Sequence, residues 1–211
     1  MLRLYYADPP EDLSTVSREA FSDYRRERLA SLRNPEGRRL STAAELLLIH
    51  AVQAAEPGCT LPLRLRTNAY GKPMLTDGDL HISLSHTADF VVCAVGDREL
   101  GVDAEKPRAY REALVRRFFC PEEQAFLRSS PDPDEDFTLL WTLKESYLKA
   151  LGCGLNRPLD SFCVCMEPEP RLVGDTDTGF WHTKLKDTYI SLCVPGVPRP
   201  VPERVEEIRL F

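Results

Sequence analysis

The segment Trp141–Lys149, with the sequence WTLKESYLK, decides the fold prediction for this chain. It predicts a long helix over residues 137–151, which the following glycines end. Trp141, Glu145 and Lys149 are spaced four residues apart and therefore lie on one face of that helix. The segment thus places an acid and a lysine side by side on a rigid element.

A second segment, Gly101–Glu105 (GVDAE), lies about forty residues upstream and predicts a β-strand. Alternate side chains of a strand point to the same side, so Asp103 and Glu105 face the same way. With Glu145 they offer the oxygen ligands that a hard divalent cation prefers, beside the ammonium of Lys149. The same residues are also compatible with a solvent-facing strand and an ordinary helix ion pair.

Two more segments offer groups that bind phosphate. Lys72 lies in the turn Gly71–Pro73 and can reach an anion as a point charge. Ser85 and His86 end a short apolar strand, where a hydroxyl and an imidazole can contact phosphate oxygens. An exposed turn lysine and a structural Ser–His pair are the alternatives. The sequence contains no P-loop, no GxGxxG and no G-x-S-x-G elbow, so those nucleotide and hydrolase sites are not predicted.

Composition and charge restrict the class of protein. The chain has 211 residues, 43% hydrophobic and 28% charged, as in ordinary globular proteins. A net charge of −6 argues against a nucleic-acid partner, although Arg25, Arg28 and Arg39 lie in a locally basic region. No stretch is apolar enough to span a bilayer, so no membrane association is expected.

The cysteines indicate a reducing compartment. There are seven, scattered and without a CxxC pair, so we expect neither a disulfide framework nor a metal–thiolate site. The first residues lack the layout of a secretion signal. We therefore expect a cytoplasmic protein.

The rest of the pattern shows only a weak parallel between the two halves of the chain, with a boundary expected near residues 97–110. A turn at Gly96-Asp97 joins two apolar runs and predicts a β-hairpin. The other expected strands and helices are strands at 2–7, in two pieces between 60 and 82, and at 161–166, 180–186, 188–194 and 205–211, with helices at 17–33, 42–54, 110–118 and from Pro121.

Five motifs in order resemble the 4′-phosphopantetheinyl transferases, specifically the monomeric, two-subdomain type that activates peptide and polyketide synthases. They are Gly-Lys-Pro at 71–73, Ser-Leu-Ser-His at 83–86, Gly-Val-Asp-Ala-Glu at 101–105, Arg-Phe-Phe-Cys-Pro-Glu-Glu at 117–123, and the segment 141–155. The resemblance implies a pseudo-symmetric α+β fold of two similar subdomains, residues 1–100 and 101–211, each of which packs a small antiparallel sheet against helices. It places the active site in the cleft between the subdomains.

The resemblance also implies a reaction. The phosphopantetheine arm of coenzyme A, the co-substrate, passes to a serine of an apo acyl or peptidyl carrier protein, which releases adenosine 3′,5′-bisphosphate. Asp103, Glu105 and Glu145 match the family's ligands for Mg²⁺, with Mn²⁺ as an alternative. Glu145 also matches the group that deprotonates the serine, and Lys149 the group that steadies or protonates the leaving phosphate.

Other positions match contacts to coenzyme A. Those expected at its phosphates are Lys72, Pro73, Ser85, His86 and Lys144, and those expected at the 3′-phosphate are Arg25, Arg28 and Arg39, with Arg38 as an alternative to Arg39. Two positions depart from the family pattern: Ala104 replaces a larger apolar residue, and Cys153 replaces a lysine. The rival functions are a module that binds coenzyme A without transfer and a metal-dependent pyrophosphate hydrolase.

Overall fold

The computed structural model describes residues 1–210, and of Leu155 the backbone only. The chain divides into two compact units. Unit 1 comprises Met1–Arg98 and the segment from Pro202 on, and unit 2 comprises Glu99–Val201. The observed boundary lies close to the expected one at residue 100, but the segment from Pro202 joins unit 1, because its strand pairs there.

The α+β class is confirmed. In chain order, the elements are β1 (Leu2–Ala7), α1 (Asp23–Ser31), α2 (Pro35–Ala55), β2 (Leu65–Thr67), β3 (Pro73–Leu75), β4 (His81–His86), β5 (Val91–Gly96), β6 (Gly101–Glu105), α3 (Glu112–Phe118), α4 (Pro121–Ser129), α5 (Pro133–Leu151), β7 (Val164–Cys165), β8 (Arg171–Leu172), β9 (Phe180–Leu185), β10 (Thr188–Cys193) and β11 (Arg204–Glu207). None of the helices within residues 1–210 is both long and apolar enough to cross a membrane.

Unit 1 is built on a sheet with the strand order β11-β1-β5-β4. Strand β1 pairs antiparallel with β5 but parallel with β11, so this sheet is mixed rather than wholly antiparallel as predicted. Helix α2 covers it with a buried apolar stripe that includes Leu40, Ala43, Leu47 and Ala51. Such spacing of three and four residues is the pattern of a helix that packs one face on a sheet.

Helix α2 begins earlier than predicted. Asn34 caps it by accepting a hydrogen bond from the backbone of Glu36, and Pro35 occupies the first turn. The segment Asn34–Gly37, which lies between the two expected helices at 17–33 and 42–54, is therefore a helix start. The same mechanism moves the start of α5 back to Pro133, because Asp132 caps it.

The predicted hairpin is wrong. Strand β5 has β1 and β4 as its neighbours, and β6 pairs with β10 instead. Both of β5's edges are already occupied by partners within unit 1, so the short Gly96-Asp97 link is a connection between units and not a hairpin turn.

Unit 2 is built on an antiparallel sheet with the strand order β6-β10-β9. Helix α5 packs on β6 and β10, and its buried face includes Phe137, Leu140 and Leu143. Trp141 lies half-buried at the margin of this core, with its ring against Phe118. The sheet and the helix thus form one rigid support for the residues that the sequence singled out.

Gly101 brings β6 and α5 into close contact. A Cβ atom built on Gly101 would lie 2.0 Å from the carbonyl oxygen of Ser146 and 2.2 Å from the backbone nitrogen of Ala150. These are backbone atoms of α5, so no side-chain rotation relieves the overlap. Glycine at this position therefore sets the spacing between the strand and the helix.

We expect Gly101→Ala to lower the free energy of unfolding by about 3 kcal/mol, because overpacking against backbone forces strand and helix apart. Urea unfolding of the purified variant measures this loss. Gly37→Ala is the control, since its added Cβ would meet only ordinary contacts, the nearest at 3.7 Å. Equal stability of the Gly101→Ala variant and wild type would show that the β6–α5 contact is not rigid.

Candidate active site

The more accessible face of α5 carries the predicted residues. Trp141, Glu145 and Lys149 are half-buried, whereas most of their neighbours between residues 140 and 150 are buried. The helix ends at Gly152, which has a left-handed conformation with φ 65°. The end of the helix and the common face of these three residues are therefore as the sequence predicted.

Strand β6 and helix α5 bring the Asp103 carboxylate and the Lys149 ammonium into contact. The Lys149 ammonium donates a hydrogen bond to Asp103 Oδ1 at 2.7 Å, and the Asp103 side chain is almost wholly buried. Glu105, two residues along the strand, forms an ion pair with Arg108 at 2.6 Å. Glu145 lies close enough to Asp103 and Lys149 to interact with both electrostatically.

The electrostatics of this cluster are those of crowded carboxylates. Burial, together with the neighbouring charges of Asp103 and Glu145, raises the pKa of Glu105 to about 7 against the opposing effect of Arg108 and Lys149. Burial also raises the pKa of Glu145, again with Asp103 adding to the effect. Because ionisation of these buried, neighbouring carboxylates is unfavourable, a cation that binds among them stabilises their charged form.

The donor set fits a hard divalent cation. Mg²⁺ and Mn²⁺ take carboxylate oxygens, and Asp103, Glu105 and Glu145 supply them from two rigid elements. Over residues 1–210, the ligand atoms of these three side chains do not all lie within 4.8 Å of one another. Binding of one ion by all three therefore requires the side chains to converge.

The pH dependence of stability is expected to show the crowding at Glu105. The pKa of Glu105 in the folded protein, about 7, exceeds its ordinary value of 4.5, so the folded state holds the proton more tightly than the unfolded state. The stability that the Glu105 proton contributes is thus fully present below pH 4.5 and is lost as the pH rises to about 7. Glu105→Gln removes this loss, so the metal-free variant should match wild type at pH 4 and exceed its unfolding free energy by about 3 kcal/mol at pH 8.

Urea unfolding in a chelator at both pH values measures the difference. Glu169→Gln, which removes a largely exposed carboxylate, is the control and should leave the pH dependence unchanged. A stability difference for Glu105→Gln that is the same at both pH values would contradict the assignment of the penalty to ionisation.

Lys144 lies in a different environment from the one predicted. Its side chain is 1% exposed, and its ammonium donates to Glu123 Oε1 at 2.6 Å and to the carbonyl of Phe162 at 2.8 Å. Burial lowers the pKa of Lys144 and raises the pKa of Glu123, while each partner opposes the shift of the other. The ammonium is thus engaged inside unit 2, which differs from the predicted contact with a phosphate of coenzyme A.

The predicted phosphate contacts of the Gly-Lys-Pro and Ser-His motifs lie in unit 1. Gly71, with φ 87°, makes the tight turn before Lys72, and Pro73 begins β3. Ser85 is buried near the end of β4, and His86, the last residue of that strand, is exposed. These placements agree with the turn and the strand end on which the expectation was based.

The three predicted arginines are placed differently from one another. Arg25 is 5% exposed and lies 3.0 Å from Glu45 in a buried ion pair, which differs from the predicted contact with a 3′-phosphate. Arg28 is exposed on α1. Arg39 donates to the carbonyls of Pro9 and Ala88, and its hydrogen bonds with Glu36 raise its pKa.

Arg39 lines a cleft of about 730 Å³ in unit 1. The charged residues of this cleft are Arg18, Arg38, Arg39, Glu11, Asp12, Glu36 and Asp89. Arginines and carboxylates are thus mixed along its walls. Both alternatives for the 3′-phosphate, Arg38 and Arg39, lie in the same cleft.

Sequence reasoning missed three features of unit 2. Arg108 was not singled out, although it follows Glu105 by three residues and pairs with it. Glu123 was not recognised as the partner of Lys144, because the two are 21 residues apart. Cys120 and Cys163 form a disulfide across 43 residues, which scattered cysteines did not indicate.

Comparison with known proteins shows that the segment containing this site is similar to a known family. Residues 99–193 match the family model of the 4′-phosphopantetheinyl transferase superfamily. The resemblance that the motifs indicated is therefore confirmed for the segment that contains Asp103, Glu105, Glu145 and Lys149.

Curated relatives that match the chain are named 4′-phosphopantetheinyl transferases. The chain is 40% identical over 106 residues to the 4′-phosphopantetheinyl transferase Sfp of Bacillus subtilis, covering 48% of this chain and 47% of that protein. It is 36% identical over 146 residues to the 4′-phosphopantetheinyl transferase HetI of Nostoc sp., covering 64% and 60%. The chain spans about half the length of the first curated relatives that it matches.

Similarity to solved structures is weaker. The holo-[acyl-carrier-protein] synthase of Thermotoga maritima superposes with a TM-score of 0.41 at 20% identity, over 47% of this chain and 63% of that one. A superposition of this quality supports no further conclusion.

Proposed function

We propose that this protein transfers the 4′-phosphopantetheine arm of coenzyme A to a serine of an apo acyl or peptidyl carrier protein. The observation that carries the proposal is the cluster of Asp103, Glu105, Glu145 and Lys149 on β6 and α5, within the segment that matches the superfamily. The serine oxygen forms a bond to the phosphorus next to the pantetheine arm. The bond from that phosphorus to the bridging oxygen breaks and releases adenosine 3′,5′-bisphosphate.

Asp103, Glu105 and Glu145 would hold a divalent cation, Mg²⁺ or Mn²⁺. When bound, this ion neutralises the charge that the pyrophosphate of coenzyme A carries and develops. The raised pKa values of Glu105 and Glu145 support this role, because neutralisation of crowded carboxylates favours binding of a cation.

Glu145 accepts the proton of the carrier serine, through an intervening water if it also binds the ion. A carboxylate whose pKa is raised by burial is a better base near neutral pH than an exposed one. The Lys149 ammonium stabilises the negative charge of the departing bisphosphate or donates a proton to it. Its ion pair with Asp103 holds the ammonium at the strand and the helix where this group would leave.

Groups of unit 1 are proposed to hold the remaining parts of coenzyme A. Lys72, Pro73, Ser85 and His86 contact its pyrophosphate, and the cleft with Arg38 and Arg39 takes its 3′-phosphate. We further propose that the protein acts as a cytoplasmic monomer on carriers of peptide, polyketide or fatty-acid synthesis, without a nucleic-acid or membrane partner.

Intact-protein mass spectrometry tests the function. Purified apo-carriers from each of the three pathways are incubated with the full chain, coenzyme A and magnesium, with and without a chelator. We expect a magnesium-dependent mass gain of one phosphopantetheine arm on at least one carrier, on a peptide that contains its serine.

Two other outcomes would replace the proposal. Binding of coenzyme A without any mass gain on the carriers would leave a binding module. Magnesium-dependent breakdown of coenzyme A in the absence of a carrier would indicate a pyrophosphate hydrolase.

A further inference from the structure

Unit 2 contains a second cluster of reactive side chains, apart from the carboxylates on β6 and α5. Cys120 and Cys163 are joined by a disulfide, with their Cα atoms 5.8 Å apart, within the range that disulfides require. Glu122 Oε2 lies 3.8 Å from Cys163 Sγ. The five other cysteines form no disulfide among the described residues.

Both cysteines adjoin the buried partner of Lys144. Cys120 is the N-cap of α4, and its backbone N–H donates to Glu123 Oε2 at 2.9 Å. The N–H of Val164, next to Cys163, donates to Glu123 Oε1 at 2.7 Å. The covalent bond thus fastens together the two backbone segments that hold this carboxylate.

The same carboxylate anchors the helix that carries the active-site face. Glu123 accepts from the Lys144 ammonium at 2.6 Å and 2.7 Å, and Lys144 precedes Glu145 directly in α5. Phe162, adjacent to Cys163, also accepts from Lys144. Separation of α4 from the strand segment at Cys163 would therefore loosen the support of α5.

We propose that Cys120 and Cys163 are a reversible thiol–disulfide pair, a covalent modification site that controls how firmly α4 and β7 hold α5. A small disulfide such as oxidised glutathione is the oxidant. Its sulfur–sulfur bond breaks as the thiolate of one cysteine forms a mixed disulfide and releases one reduced glutathione. The thiolate of the other cysteine then attacks the protein sulfur of this mixed disulfide and releases the second reduced glutathione. Two protein thiols and one oxidised glutathione thus yield one protein disulfide and two glutathione thiols.

Exposure indicates the order of these steps. Cys163 is half-buried, whereas Cys120 is 6% exposed, so the small disulfide reaches Cys163 first. Cys120 then resolves the mixed disulfide from its protected position at the start of α4. The proposal does not depend on the transferase function, because it concerns the stability of unit 2.

Peptide mapping in glutathione buffers is the first test. The fully reduced chain has seven thiols, and oxidised glutathione should leave five that react with an alkylating reagent, with one linked peptide pair, 120–163. Reduced glutathione should restore all seven. Cys163→Ser and Cys120→Ser should each abolish the linked pair, whereas Cys165→Ser, two residues away and also half-buried, should keep it.

Thermal unfolding is the second test. Closing a loop of 43 residues should raise the Tm of the oxidised protein by roughly 5 to 15 °C over the reduced protein. Amide exchange at Val164 should be slower in the oxidised form. Cys163→Ser should show neither change, and Cys165→Ser should show both.

Two results would overturn the proposal. In the first, all seven thiols remain in oxidised glutathione, and the reduced protein binds one Zn²⁺ whose binding is lost in Cys163→Ser. Glu122 and the two thiolates would then be a metal site. In the second, the 120–163 disulfide forms but changes neither the Tm nor the amide exchange at Val164. The disulfide would then not stabilise the contacts of α4 and β7 with α5.

Discussion

A Glu145→Gln variant is expected to transfer phosphopantetheine about 10²- to 10⁴-fold more slowly than wild type, the usual contribution of a positioned base. Glutamine keeps the shape and the hydrogen-bonding capacity of the side chain but can neither accept the serine proton nor supply a charged ligand oxygen. The measurement is the rate of mass gain on an apo-carrier at saturating coenzyme A and magnesium.

The matched control is Glu135→Gln, the same change on the same helix at a side chain that pairs with Lys184. It should leave the rate within a few-fold of wild type. Circular dichroism and a Tm measurement establish that both variants are folded. A Glu145→Gln variant that is folded and transfers at the wild-type rate would eliminate both roles proposed for Glu145.

A Lys144→Met variant is expected to lose about 3 to 5 kcal/mol of unfolding free energy, as when one partner of a buried ion pair is removed. Both side chains of the Lys144–Glu123 pair are at most 1% exposed, so the remaining carboxylate has no water to replace the ammonium. Adding Glu123→Gln should restore a large part of the loss. Glutamine keeps an oxygen acceptor for the backbone N–H of Val164 while it removes the buried charge.

Lys184→Met provides the comparison. Its ion pair with Glu135 has exposed fractions of 38% and 30%, and pairs of that kind contribute about 0 to 1 kcal/mol. Urea unfolding at neutral pH ranks the single and double variants. If Lys144→Met and Lys184→Met cost the same, the Lys144 ammonium would have to be hydrated in solution.

The site on unit 2 was largely predictable because it depends on local periodicity. The four-residue spacing of Trp141, Glu145 and Lys149 places them on one helix face whatever packs behind it. The alternation of a strand likewise puts Asp103 and Glu105 on one side. In the structure these two sets interact electrostatically, because α5 packs directly on β6.

What sequence could not supply was the identity of partners distant along the chain. A lysine at 144 and an arginine at 25 both resemble phosphate ligands until Glu123 and Glu45 are known to lie beside them in the interior. The false hairpin at Gly96-Asp97 has the same origin, since strand pairing is decided by which edges other strands already occupy. Short turn signals carry no information about those distant strands.

The two-segment construction of unit 1 has a consequence for the order in which the protein is made. Unit 2 is continuous in sequence, so all of its residues are synthesised consecutively. Unit 1 is complete only after its last strand, β11, has been synthesised, and β11 follows all of unit 2. Until β11 emerges, one edge of β1 exposes backbone groups that only β11 pairs in the finished sheet. The nascent chain therefore passes through a stage in which unit 2 is complete and the sheet of unit 1 still has an open edge.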